Sequence, residues 1–292
     1  MRDFSRDHRW LSINTATLRG AGTLDRIIDA CARHGIRAIS PWRDQVHAIG
    51  LDRTAQLVRA NGLALSGYCR GGMFPAADAA GRAEALADNR RAVDEAKSLD
   101  AECLVLVVGG LPGALDGRPA HHDIAVARRD VHDGIAATLA YAREVGMPLA
   151  IEPLHPMYAA DRACVNTMRQ ANDLCDELAG KKKGDGLGLA VDLYHVWWDP
   201  ELKAEIERAA DATPSRLLAF HICDWLVPTT DLLLDRGMMG DGVIDIPLVR
   251  SWMEACDYHG MHEVEIFSRD NWWKRDGDEV LLTCKLRHET AC

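Results

Sequence analysis

Short apolar runs alternate with longer amphipathic stretches from one end of the sequence to the other. The runs, four to six residues each, fall over 11–14, 37–40, 63–68, 103–108, 149–152, 187–192, 217–221 and 263–267. Near-continuous aliphatic runs of this length predict strands buried on both faces, as in a parallel sheet. Between and after them, apolar residues recur at helical spacing over 23–34, 52–61, 82–98, 123–144, 167–178, 200–210, 247–256 and 278–288. Gly35, Gly62, Gly146 and Gly260 stand where four of these helices should stop, and Thr23, Asp52 and Thr167 where three should be capped. Eight strands and eight helices, with strand starts about 36 residues apart, predict an α/β fold of the (β/α)8 barrel type. An open doubly wound sheet is the alternative. It would usually show a glycine-rich turn after an early strand, and 11–17 has none. No change of composition marks a boundary, so one domain over 1–292 is expected.

Composition narrows the function classes. Of 292 residues, 48% are hydrophobic and 27% charged, which excludes wholesale disorder. The formal charge of −10 (34 basic against 44 acidic residues) argues against a nucleic-acid track. No run approaches the roughly 20 apolar residues of a membrane span, so no membrane partner is expected. The first ten residues are charged and lack a signal-peptide apolar region, from which a cytoplasmic location is expected. The nine cysteines are odd in number and show no C-x-x-C pair. They read as reduced, small core residues rather than a disulfide scaffold or zinc cluster.

In such a barrel, chemistry sits where the C-terminal strand ends open into loops. These ends carry Asn14, Trp42-Arg43, Cys69-Arg70 before Gly71-Gly72, and Gly109-Gly110. The next four carry Glu152, Asp192, His221 and Glu265, one ionisable group per strand. Three carboxylates converging on one mouth repel unless a cation or hydrogen-bond donors compensate them. A shared divalent ion is one resolution, and an oxygen-rich set with one imidazole suits Mn²⁺ best, with Mg²⁺, Co²⁺ or Zn²⁺ as alternatives. The other resolution is an ordinary rim of charges paired to Arg70, Arg236 or Arg269. His155 and Tyr158 follow Glu152, and His195 follows Asp192 by three residues. Arg236 lies in a loop of about 25 residues, a length usually reserved for function or disorder. The 69–72 stretch offers an anion nest beside Arg70. Trp42, Trp197, Trp198, Trp225, Trp272 and Trp273 fall in loops, where a ring can stack on a sugar, seal a site or pack; Trp272-Trp273 reads as a subunit interface.

The segments "IEPLHP", "VDLYHVWW", "FHICDW", "GDGVIDIP" and "VEIF" together resemble the xylose isomerase-like barrels, the sugar phosphate isomerase/epimerase and AP endonuclease family 2 superfamily. The resemblance implies metal binding by Glu152, Asp192, His221 and Glu265, and a proton-transfer pair in Glu152 and Glu265. It implies that His195 and Arg236 orient substrate oxygens. His155, Trp42, Arg70 and Trp198 are then candidate substrate contacts. The activity implied is a divalent-metal-dependent isomerase or epimerase of a keto-sugar or related polyhydroxylated ketone, working through a metal-stabilised enediolate. A dehydratase or lyase of a keto-inositol, a dehydroshikimate-like compound or a 3-oxo-glycoside is the alternative. A non-catalytic sugar-binding subunit ranks below it. So does an endonuclease IV-like phosphodiesterase, whose extra histidines are replaced here by Cys69/Arg70, Gly109/Gly110 and Arg236. The partner expected is a small carbohydrate, with a homodimer or homotetramer in keeping with the family.

Overall fold

The computed structural model describes residues 2–4, 8–178 and 186–292. Its strands are β1 (Leu11–Asn14), β2 (Ala38–Ser40), β3 (Ala64–Leu65), β4 (Tyr68–Gly72), β5 (Leu104–Val107), β6 (Leu149–Ile151), β7 (Leu187–Asp192), β8 (Leu217–Ile222), β9 (Asp224–Trp225), β10 (Arg236–Gly237) and β11 (His262–Val264). The helices are α1 (Leu24–Arg33), α2 (Arg43–Ile49), α3 (Leu51–Ala60), α4 (Ala79–Ser98), α5 (Ile124–Val145), α6 (Met168–Leu178), α7 (Leu193–Val196), α8 (Leu202–Ala210), α9 (Ile246–Ala255) and α10 (Gly277–Thr290). Nine strands share one sheet in the order β3-β2-β1-β11-β8-β7-β6-β5-β4. The order begins and ends on β3 and β4, which are consecutive in the chain with only Ser66-Gly67 between them. They are two halves of the third strand, so eight strand positions remain and the fold is the (β/α)8 barrel.

Chain contacts divide into two compact units, Met1–Tyr68 with Leu99–Ala101 and Ala219–Cys292, and Cys69–Ser98 with Glu102–Leu218. In the first, β1 pairs in parallel with β11 and with β2, and β11 with β8. Its register sets Ser12 opposite Glu263, and Glu263 opposite His221. In the second, β5 pairs in parallel with β6, and β6 with β7, which is buried along its whole length. Helices cover the sheet through stripes at i, i+3, i+4 and i+7. α1 buries Leu24, Ile27, Ile28 and Cys31, and α6 buries Met168, Ala171, Asn172 and Cys175.

Several local expectations need correction. Asp52 is not a cap: an additional helix, α2, runs up to Gly50, which precedes α3 at φ +94° and leaves Asp52 in the first turn. Thr167 does cap, its Oγ1 accepting from Gln170 N at 3.2 Å. Thr23 holds the cap position, but its hydroxyl donates to Asp25 at 2.5 Å instead. Gly260 does not end α9, because Asp257 takes the left-handed turn at φ 61°. The residues 69–72 are not a loop nest but lie in β4. There Asn89 Oδ1 accepts from Gly72 N at 2.6 Å, and a Cβ on Gly72 would meet Val107 O at 2.0 Å. The glycine therefore serves close backbone approach, and its N–H is already engaged.

The long loop after β8 holds an antiparallel hairpin, β9 against β10, with Arg236 opposite Trp225. Trp272 is buried, and Trp273 Nε1 donates to Ala16 O at 2.7 Å. Within the chain Trp272 is therefore already covered, while Trp273 stays partly exposed. All nine cysteines are free thiols, seven of them buried. Burial pushes Cys31 and Cys175 up to about 12, which keeps them protonated and unreactive. Among the described residues, no helix is long and apolar enough to cross a membrane.

Candidate metal centre

The backbone presents four ionisable side chains at strand ends. Glu152 follows β6 directly, its N–H bonded to Leu106 O at 3.1 Å. Asp192 is the last residue of β7 and caps α7, Oδ1 accepting from Tyr194 N at 2.7 Å. His221 lies one residue before the end of β8, and Glu265 follows β11. Each offers one ligand atom, these atoms all lie within 4.8 Å of one another, and all four residues are buried. Like charges about 4 Å apart repel by roughly 4 kcal/mol per pair at an effective dielectric near 20. A donor set of three carboxylate oxygens and one imidazole nitrogen matches a divalent ion, which removes that repulsion. The residues present therefore fit the metal that the sequence implies.

Around His221 and Glu265, Arg236 Nη1 donates to Glu265 Oε2 at 3.0 Å and to Glu265 O at 3.3 Å. Its guanidinium also lies over the Phe267 ring at 4.9 Å. His221 Nδ1 is 3.8 Å from Glu265 Oε2, while Nε2 is 3.4 Å from Glu263 Oε1. Asn14 Nδ2 donates to Glu263 Oε1 at 2.8 Å, and Ser66 Oγ to Oε2 at 2.9 Å. Trp42 Nε1 in turn donates to Asn14 Oδ1 at 2.8 Å. Asp224 works on the backbone, accepting from the N–H groups of Trp225, Gly240 and Ile244, each at 2.9 Å.

Beside Asp192, His195 Nε2 lies 3.6 Å from Oδ2, and its Nδ1 accepts from His155 N at 3.2 Å. That acceptor role places the neutral ring's proton on Nε2, toward the carboxylate. Trp198 Nε1 donates to His195 O at 2.8 Å, and its ring meets that of His155 edge-on at 5.7 Å. Burial holds the half-buried His155 below the ordinary histidine range. Arg70 is partly exposed on β4.

Sequence reading missed Glu263, Ser66 and the role of Asn14. The signal was present in "HEVEIF", because a strand's two-residue period puts Glu263 and Glu265 on one face.

Fold and donors together define a (β/α)8 barrel with a metal-competent cluster at its strand ends. The profile of the xylose isomerase-like TIM barrel family matches residues 28–282, and the chain belongs to that family. A crystal structure of a protein from Sinorhizobium meliloti is 58% identical, covering 98% of this chain and 99% of that one at a TM-score of 0.92. The IolI protein with a bound zinc atom is 20% identical over 95% of this chain and 96% of its own, with a TM-score of 0.76. D-psicose 3-epimerase with D-tagatose, from Clostridium cellulolyticum, is 14% identical over 96% and 97%, with a TM-score of 0.73. The last two likenesses speak to fold. No curated protein matches the sequence.

Proposed function

We propose that this chain is a divalent-metal-dependent isomerase or epimerase that moves a proton at the carbon beside a carbonyl in a small polyhydroxylated ketone. The observation that carries the reading is the convergence of Glu152, Asp192, His221 and Glu265 within 4.8 Å. Held by these four, a divalent ion, Mn²⁺ first and Zn²⁺ as in the IolI structure second, would polarise a ketone oxygen and acidify the neighbouring C–H. Glu152 and Glu265 then take the proton and return it, since each is a carboxylate on a different strand end. Arg236 keeps the Glu265 carboxylate oriented through its 3.0 Å contact. His195 presents its Nε2–H edge beside Asp192, where it can donate to a substrate oxygen. His155, Trp198, Trp42 and Arg70 supply the walls and charge for a hydroxylated substrate.

Solvent-deuterium exchange into a panel of ketohexoses and keto-inositols with added Mn²⁺ tests this reading. Exchange is expected with at least one compound, and it should be lost in Glu152→Gln. A protein that binds Mn²⁺ yet exchanges no proton across the panel would overturn it. Product analysis then separates isomerisation and epimerisation from dehydration, which begins with the same proton removal.

A further inference from the structure

We propose that Glu263 is a positioning residue that sets the tautomer and orientation of His221, so that Nδ1 is the nitrogen offered to the metal; this rests on the metal-dependent reading above. Glu263 is 1% exposed and His221 fully buried. A carboxylate so deep is costly unless donors surround it. Two donors are in place: Asn14 Nδ2 at 2.8 Å on Oε1 and Ser66 Oγ at 2.9 Å on Oε2. Ser66 Oγ is itself 2.6 Å from Ser12 Oγ, which completes a Ser12–Ser66–Glu263 relay on one side. On the other side stands His221, opposite Glu263 in the β8–β11 register, with Nε2 at 3.4 Å from Oε1.

An ionised carboxylate only accepts, and a neutral imidazole has one N–H and one lone pair. The two nitrogens of His221 face different carboxylates, Nε2 toward Glu263 and Nδ1 toward Glu265 at 3.8 Å. Glu265 already receives Arg236, and it belongs to the four-donor cluster. A proton on Nε2 therefore meets the carboxylate outside that cluster and leaves the Nδ1 lone pair turned toward it. At 3.4 Å the contact does not reach hydrogen-bond geometry, and the carboxylate acts on the Nε2 edge through its charge. The chain Trp42–Asn14–Glu263 holds the carboxylate in place from the β1 side. Carboxylates behind ligating histidines typically change metal affinity by about 10- to 100-fold.

Two measurements test the inference. In the metal-free protein labelled with ¹⁵N-histidine, the His221 signals, assigned by their loss in His221→Asn, are expected to show the Nε2–H tautomer. Glu263→Gln is expected to give a mixture or the Nδ1–H form, and to weaken Mn²⁺ binding, followed by calorimetry, by about 10-fold or more. Ser66→Ala, which leaves the carboxylate in place, should keep the tautomer and hold the loss of affinity under about threefold; if Glu263→Gln does not fold, the wild-type tautomer decides the role of Glu263. An Nδ1–H tautomer in the wild type, or unchanged tautomer and affinity in folded Glu263→Gln, would overturn the role of Glu263. Failure of the wild type to bind any divalent ion would instead count against the metal-dependent reading, while the tautomer result still judges Glu263.

Discussion

Arg236 and Glu265 show what one buried contact does here. Both are about 3% exposed, and their 3.0 Å pair is flanked by the Phe267 face. Removing one partner of such a pair leaves an uncompensated charge, at a cost of about 3–5 kcal/mol. Arg236→Gln is therefore expected to lower the thermal midpoint strongly, and added Mn²⁺ should recover part of the loss because a cation replaces the missing positive charge. Thermal unfolding with and without Mn²⁺ checks both halves. The thiols make a second residue-scale case. Cys256 is partly exposed, whereas Cys31, Cys164, Cys175 and Cys284 are buried, and burial raises the last well above the usual thiol range. Iodoacetamide should modify Cys256 first in the native protein and reach these four only after denaturation, as peptide mass mapping would show. The legible part at this scale was residue type: carboxylates and one histidine at the ends of apolar runs. Which carboxylate faces which nitrogen was not legible, because that depends on side-chain directions across neighbouring strands.

Among the elements, the segment after β8 is the one whose form the sequence hid most. Twenty-odd residues without apolar periodicity read as a loop, yet β9 and β10 pair in it and bring Arg236 opposite Trp225. The organiser is Asp224, whose carboxylate accepts three backbone N–H groups from Trp225, Gly240 and Ile244. Asp224→Ala should cost about 3 kcal/mol, near 1 per bond. It should also open the segment between Leu226 and Val243 to trypsin at Arg236, visible as a new cleavage in limited proteolysis. The amphipathic helices behaved differently. α1, α6 and α8 read correctly because each buries residues at i, i+3, i+4 and i+7, a pattern set by local geometry. α2 and α7 escaped notice, since seven- and four-residue helices carry too little periodicity to separate from loop.

For the molecule as a whole, pH acts through a buried histidine pair remote in role from the metal cluster. His288 stacks on Phe4 at 4.2 Å and lies 3.3 Å from His262. Burial, with His8 and the guanidinium groups of Arg250 and Arg2, holds His288 down to about 3 from 6.5. Burial, the neighbouring His288 and the same two arginines lower His262 as well. The unfolded chain takes up protons as pH falls through about 6.5, while the folded form does so only near 3. Stability should thus be full above about pH 6.5 and decline on acidification, by about 1.4 kcal/mol per pH unit for each such group. Urea unfolding at about pH 7.5 and about pH 5 should show the fall, and His288→Leu should make it shallower. The strand and helix alternation, the closed-barrel fold class and the burial of most cysteines were all readable from the chain, because burial of apolar periodicity is a local demand written residue by residue. The meeting of Glu152, Asp192, His221 and Glu265 within 4.8 Å, and the placement of Glu263 behind His221, belong to the tertiary structure. Charges far apart in the chain acquire a common field only when strand register fixes their distances.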